Sequence, residues 1–270
     1  MFTIATPGID EMWGCQYMLA AYFDASTSQK DKHFVTVAGC VAPINRWKTF
    51  ESKWQKLLDK ERLLFFHMTD FESYQGPYRG WSRKQHKHFM RKITKAIVTR
   101  TSFAFGRGVA HEDFEWAQSQ KQELRTFRSP FTYCAAQCFG AVTNWADGHN
   151  EREPIIYIFE AGDGFDGELR RYQQDIERSE SLKARYRWNG LYILPKAMEH
   201  PPFPLTPLQA ADVWAFEARK EWENFHSTGE RQRPVRRSAR SLLGKGVEID
   251  FGYSTRESLL NLVPYSEGST

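Results

Sequence analysis

The sequence predicts an α/β fold, and three observations carry that prediction. Residues 17–23 and 34–41 are apolar runs flanking a polar segment of Ser, Thr, Gln, Lys and Asp, the pattern of two strands joined by a turn. Residues 154–159, PIIYIF, are mostly β-branched or aromatic, as a strand buried on both faces requires. Elsewhere the apolar residues change to helical spacing, first at Trp47, Phe50, Trp54, Leu57 and Leu58 and again at Phe89, Met90, Ile93, Ala96 and Ile97.

The chain has 270 residues, 41% of them hydrophobic and 15% aromatic, enough to bury a sizeable core. This predicts one large domain over 15–225, with an insertion at about 61–100, and an Arg-rich linker and C-terminal extension over 226–270 that packs on the same domain. The net charge of +4 permits a polyanionic partner without requiring one. Cys15, Cys40, Cys134 and Cys138 form no CxxC pair, which argues against a zinc site or a disulfide framework and for reduced thiols. The first residues, MFTIATPGIDEM, lack the basic and apolar regions of a secretory leader, and no apolar run approaches the ~20 residues of a membrane span. The expectation is a soluble cytoplasmic protein with no membrane partner; the sequence sets no oligomeric state.

In chain order, a lead-in over 1–14 with a turn at Pro7-Gly8 precedes the hairpin. Asn45 is a fair N-cap for a helix over about 46–60. LLFFHMTDF then places His67 and Asp70 near a strand end, as an acid/base pair or as a packing residue beside a turn former. A Gly, Pro and Tyr-rich loop at 75–81 leads to Ser82, which caps a helix to about Thr99. Lys84, Lys87, Arg91 and Lys95 form a basic stripe opposite its apolar face, fit for tracking phosphates or simply for solvent.

Residues 102–109 alternate like an edge strand, 112–124 and 130–145 read as helices, and the strand at 154–159 ends in Glu160. A polar helix over 167–184, a short strand at 191–194 and a helix from Pro207 follow. In that last helix Leu208, Ala211, Asp212, Ala215, Phe216, Ala218, Arg219 and Trp222 fall on one side. Asp212 is thus set in an apolar face, where an uncompensated carboxylate costs several kcal/mol. Either a metal or an ion pair answers it, and Arg219 lies about 10 Å further along the axis. The segment 226–246 reads as a loop or linker rich in arginine, including Arg231, Arg233, Arg236 and Arg237, and is either a nucleic-acid contact or a soluble connector. A strand at 247–251 and a helix at 255–262 close the chain.

Asp24, directly after the first apolar run, Glu160 and Asp212 share a chemical rationale. Mg2+ and Mn2+ prefer hard oxygen ligands, and a carboxylate-bridged pair of such ions supports phosphodiester cleavage. The hairpin with YFDAS, the segment HMTDF, the strand-end acid of YIFE and above all LQAAD resemble the family called domain of unknown function 3800, grouped with ribonuclease H-like folds. The resemblance runs in order from about Tyr17 to Ala218. It departs where the family has Asp-Glu-Ser-Gly after the first strand, since Ala25 stands for the Glu and the Gly is missing.

The resemblance implies a ribonuclease H-like mixed sheet flanked by helices, with Asp24, Glu160 and Asp212 gathered at its metal-binding end. The expectation is therefore a Mg2+- or Mn2+-dependent nuclease or related phosphodiester-processing enzyme, in which His67 or Asp70 assists and the basic segments position the polyanion. The rival is a non-catalytic module of the same fold that binds nucleic acid or a partner protein, with Asp212 in a structural ion pair.

Overall fold

The computed structural model describes residues 18–27, 33–162, 164–195, 204–226, 231–244 and 246–262. The predicted lead-in, Cys15, the turn of the first hairpin, Asp163 and Lys245 lie outside the described residues.

Six strands form one mixed sheet: β1 (Leu19–Thr27), β2 (Phe34–Pro43), β3 (Phe103–Ala110), β4 (Ile155–Glu160), β5 (Trp188–Leu194) and β6 (Glu248–Ser254), in the order β5-β4-β1-β2-β3-β6. β2 runs antiparallel to both β1 and β3. β1/β4, β4/β5 and β3/β6 pair in parallel. The helices are α1 (Ile44–Glu61), α2 (Met68–Glu72), α3 (Arg83–Arg100), α4 (His111–Gln120), α5 (Pro130–Gly148), α6 (Asp166–Glu177), α7 (Glu180–Arg185), α8 (Thr206–His226), α9 (Arg237–Leu242) and α10 (Arg256–Leu260), with 3-10 turns at Gly76–Tyr78 and Gln122–Thr126.

Alternation along the strands sorts the core into two layers. On one face Ala20, Tyr22, Ala38, Cys40, Ile156 and Ile158 pack under α1, α2, α3, α8 and α9. On the other, Leu19, Phe23, Val37, Phe105, Tyr157 and Phe159 pack under α4, α5, α6 and α10. A sheet covered on both faces has no polar side to display, which is why β1 and β4 read as continuous apolar runs. Cys40, Cys134 and Cys138 are free and buried, and burial pushes the Cys138 thiol up to about 12. No helix of the described residues is long and apolar enough to cross a membrane.

The structure revises several element boundaries. β1 continues to Thr27, so Asp24 lies inside the strand rather than after it, because the ladder to β2 persists from Asp24↔Ala38 to Thr27↔Val35. Asn45 sits within α1, whose cap position is Pro43. His67 and Asp70 follow no strand; residues 68–72 are helical. β3 is an interior strand because β6 pairs with it. Its Gly106 and Gly108 admit two aromatic rings: a Cβ on either would lie 2.5 Å from Phe251 or 2.4 Å from Trp222, respectively. The predicted helix at 167–184 breaks at Ser179, whose side chain caps α7. The Arg-rich stretch is not wholly a linker, since α9 forms within it.

Candidate carboxylate site and basic groove

The strand register brings two of the three acids side by side. Parallel pairing of β1 and β4 ends at Phe23↔Phe159, and Asp24 and Glu160 are the next residues on the two strands. Phe23 and Phe159 face α5; alternation directs Asp24 to the opposite face, which α8 covers, whereas Glu160, at the end of β4, lines a small cavity with Ala25, Phe131, Phe159, Phe165, Asp166 and Leu169.

The same register locates Asp212. Reading across the sheet from Asp24, the partners are Ala38, Gly106 and Phe251. The Phe251 ring packs against Trp214 of α8 at 5.2 Å. Two residues further along the strands, Ser26, Thr36, Gly108 and Tyr253 are aligned. There Arg219 Nε donates to Ser26 Oγ at 2.8 Å, and Trp222 lies 6.2 Å from Tyr253. The helix thus advances in the same sense as β1, crossing from Trp214 over β6 to Arg219 over β1. Asp24 and Asp212 are each 5% exposed.

Each acid is also tied to backbone. Asp24 Oδ1 accepts from the Ala25 N–H at 2.9 Å. Asp212 Oδ2 accepts from the Met68 N–H at 2.8 Å and so caps α2, which has no side-chain cap of its own. One turn earlier Gln209 Oε1 takes the Phe66 N–H at 2.6 Å and the Trp54 indole N–H at 2.9 Å. Gln209 and Asp212 therefore grip the stretch 66–68 from one face of α8, and the buried Phe66 and Met68 leave His67 partly exposed between them.

His67 Nδ1 lies 2.9 Å from Asp70 Oδ2, the two side chains being 32% and 43% exposed. The Tyr78 hydroxyl sits in the same neighbourhood: burial pushes its pKa up, and the Asp70 and Asp212 carboxylates add to the rise. The structure thus joins His67 and Asp70 to Asp212 through α2. Among the described residues, no group of three or more His, Cys, Asp or Glu side chains forms a ready-made metal-binding cluster.

The basic residues divide. Lys84, Lys87 and Arg91 of α3 line a groove of about 1170 Å³ with Arg236 and Arg237, which enter from the far end of the chain. Glu72 is the one carboxylate in its lining. Lys95 lies outside the lining. Arg231 pairs with Glu221 at 2.7 Å, and Arg233 donates to Asn224 Oδ1 at 3.4 Å, so these two brace α8. Within the groove Arg236 is held by Glu217 at 2.9 Å and by Glu72. Burial works against its charge, but the two carboxylates outweigh that and raise its pKa.

Sequence reasoning missed Gln209, Glu217 and Tyr78. Gln209 was within reach, since it precedes Asp212 by three residues and i,i+3 pairs share a helix face. Glu217 and Tyr78 depend on contacts remote in sequence, which no local pattern marks. No family model, curated protein or solved structure matches the chain.

Proposed function

We propose that the protein is a divalent-metal-dependent nuclease or related phosphodiester-processing enzyme of ribonuclease H-like fold. What supports the reading is that Asp24 and Glu160 follow the last paired residues of β1 and β4, that Asp212 is buried on α8, and that a groove lined by lysine and arginine lies between α3 and the Arg236 segment. The arrangement agrees with the likeness of YFDAS, YIFE and LQAAD to the domain of unknown function 3800 family.

Asp24, Glu160 and Asp212 are hard oxygen donors of the kind Mg2+ and Mn2+ prefer, and Asp212 Oδ1 takes no hydrogen bond among the described residues. When bound, such ions lower the pKa of an attacking water and stabilise the leaving oxygen. In this proposal the carboxylates of Asp24, Glu160 and Asp212 would hold the ions. His67, oriented by Asp70, carries a proton to or from the reacting group. Lys84, Lys87, Arg91 and Arg237 hold the polyanion, so binding weakens steeply with salt.

The test uses a labelled oligonucleotide with Mg2+ or Mn2+. Asp24→Asn lowers turnover by roughly 10³-fold, the scale of a lost metal bridge, and leaves substrate affinity largely intact. If affinity falls as far as turnover does, the assignment is wrong. One observation favours a second reading, a non-catalytic module that binds nucleic acid or a partner protein: Asp212 already caps α2 through the Met68 N–H. On that reading Asp212→Asn lowers the melting temperature equally with and without metal.

A further inference from the structure

A second cationic groove lies on the other face of the sheet. It has a volume of about 830 Å³, and Arg107, Arg152, Arg185 and Arg187 line it against a single carboxylate, Asp147. None of them belongs to the carboxylate site or the first basic groove. Its floor is the outward face of α5, where a Cβ added at Gly140 would meet nothing within 4 Å. A ligand can therefore settle close to the helix backbone between the arginines.

Two of the arginines are fixed in place. Arg107 projects from β3 and is anchored by Asp250, at 2.6 Å from its carboxylate and 2.9 Å from its carbonyl. Arg187 has a φ of 49°, in the left-handed region where a side chain is disfavoured and glycine is at ease. Its side chain, 13% exposed, nonetheless reaches Asp147 at 3.4 Å. Arginine at such a position places a guanidinium on the groove that glycine could not supply. Arg152 is exposed and has no ion pair among the described residues.

Guanidinium groups pair bidentately with phosphoryl oxygens, and with Arg107 and Arg187 paired to Asp250 and Asp147 the groove keeps a net positive charge that an anion would answer. Among the described residues the lining holds no aromatic ring on which a base could stack, so recognition falls on phosphoryl groups. We propose that this groove is a second anion site that takes the phosphoryl groups of a polyphosphate, free or as part of a nucleotide, or those of a nucleic-acid backbone.

The experiment uses the full chain in EDTA, so that binding is read without turnover. The probes are inorganic triphosphate by calorimetry and a fluorescein-labelled single-stranded oligonucleotide by anisotropy. Arg152→Glu/Arg185→Glu and, separately, Gly140→Glu are compared with Lys84→Glu/Lys87→Glu in the first groove. Triphosphate binding weakened about tenfold or more by the α5-side variants, and untouched by the α3 variant, supports the site and assigns it to free polyphosphate or a nucleotide. Oligonucleotide binding weakened by the α5-side variants, with a salt slope reduced by about two for the double variant, supports the site and assigns it to a strand. Absence of saturable binding of both probes to the wild type, or affinities of the α5-side variants that match the wild type for both, overturns the proposal. The readout needs no metal, so α5-side variants that match the wild type leave the carboxylate-site proposal standing, whereas absence of oligonucleotide binding to the wild type also counts against the first groove as the seat of the polyanion.

Discussion

Asp212 and Glu217 lie five residues apart on α8 and are buried to nearly the same degree, at 5% and 3% exposure, yet their surroundings differ in kind. Glu217 is answered by charge: Arg236 Nε lies 2.9 Å from one carboxylate oxygen and Ser238 Oγ donates to the other at 2.6 Å. Asp212 is answered by one backbone N–H, and no cation of the described residues pairs with it. Arg219, the candidate partner on the same face, turns instead to Ser26 and Glu223. The difference teaches that a buried acid on a packing face is not one kind of thing. Glu217 closes an ion pair that ties the Arg-rich segment to α8, whereas Asp212 Oδ1 takes no hydrogen bond among the described residues.

The largest stability effect expected from breaking this contrast is at Glu217. Replacing it with Ala leaves the Arg236 guanidinium and the Ser238 hydroxyl without their partner. The cost is about 2–3 kcal/mol, below the full penalty of a broken buried pair because Arg236 is 30% exposed and keeps Glu72. Denaturant melts should show this loss equally with and without Mn2+. Asp212→Asn is the sharper counterpart: the amide oxygen still accepts from Met68, so stability in EDTA falls by less than about 1 kcal/mol. On the proposed metal site, Mn2+ raises the melting temperature of the wild type and fails to raise that of Asp212→Asn.

The smallest effect is on pH dependence. Burial pushes the Glu217 carboxyl above its ordinary 4.5, against the pull of Arg236 and Ser238. Over the interval between 4.5 and the raised value, the folded state binds more protons than the unfolded one, so this group's contribution is complete below 4.5 and is lost as pH rises through the folded value. Glu217→Gln should flatten the fall of the melting temperature across that interval.

The three acids were legible in the sequence because each sits where local pattern is informative: beside an apolar run, at the end of one, and inside a helical face. What the sequence could not give is their neighbours: the parallel pairing of β1 with β4, which makes Asp24 and Glu160 the next residues beyond the last pair, and the Met68 N–H from which Asp212 accepts, are contacts far apart in sequence. The charge of the Arg-rich segment was equally visible, but not its division of labour. Arg237 faces a groove, Arg236 is both a wall and an ion-pair anchor, and Arg231 and Arg233 brace α8, because partners on α8 and α2 decide each role. Asp24 was placed at the mouth of its strand because its apolar run stops at Phe23; the backbone ladder to β2 continues past that point whatever the side chains are.

The most direct test of the central claim is calorimetric titration of Mn2+ into the wild type, Asp24→Asn, Asp212→Asn and Glu217→Gln. One carboxylate site predicts saturable binding in the wild type and in Glu217→Gln, and loss of that binding in both Asp variants. Absence of saturable binding to the wild type, or binding that survives Asp212→Asn, would contradict it.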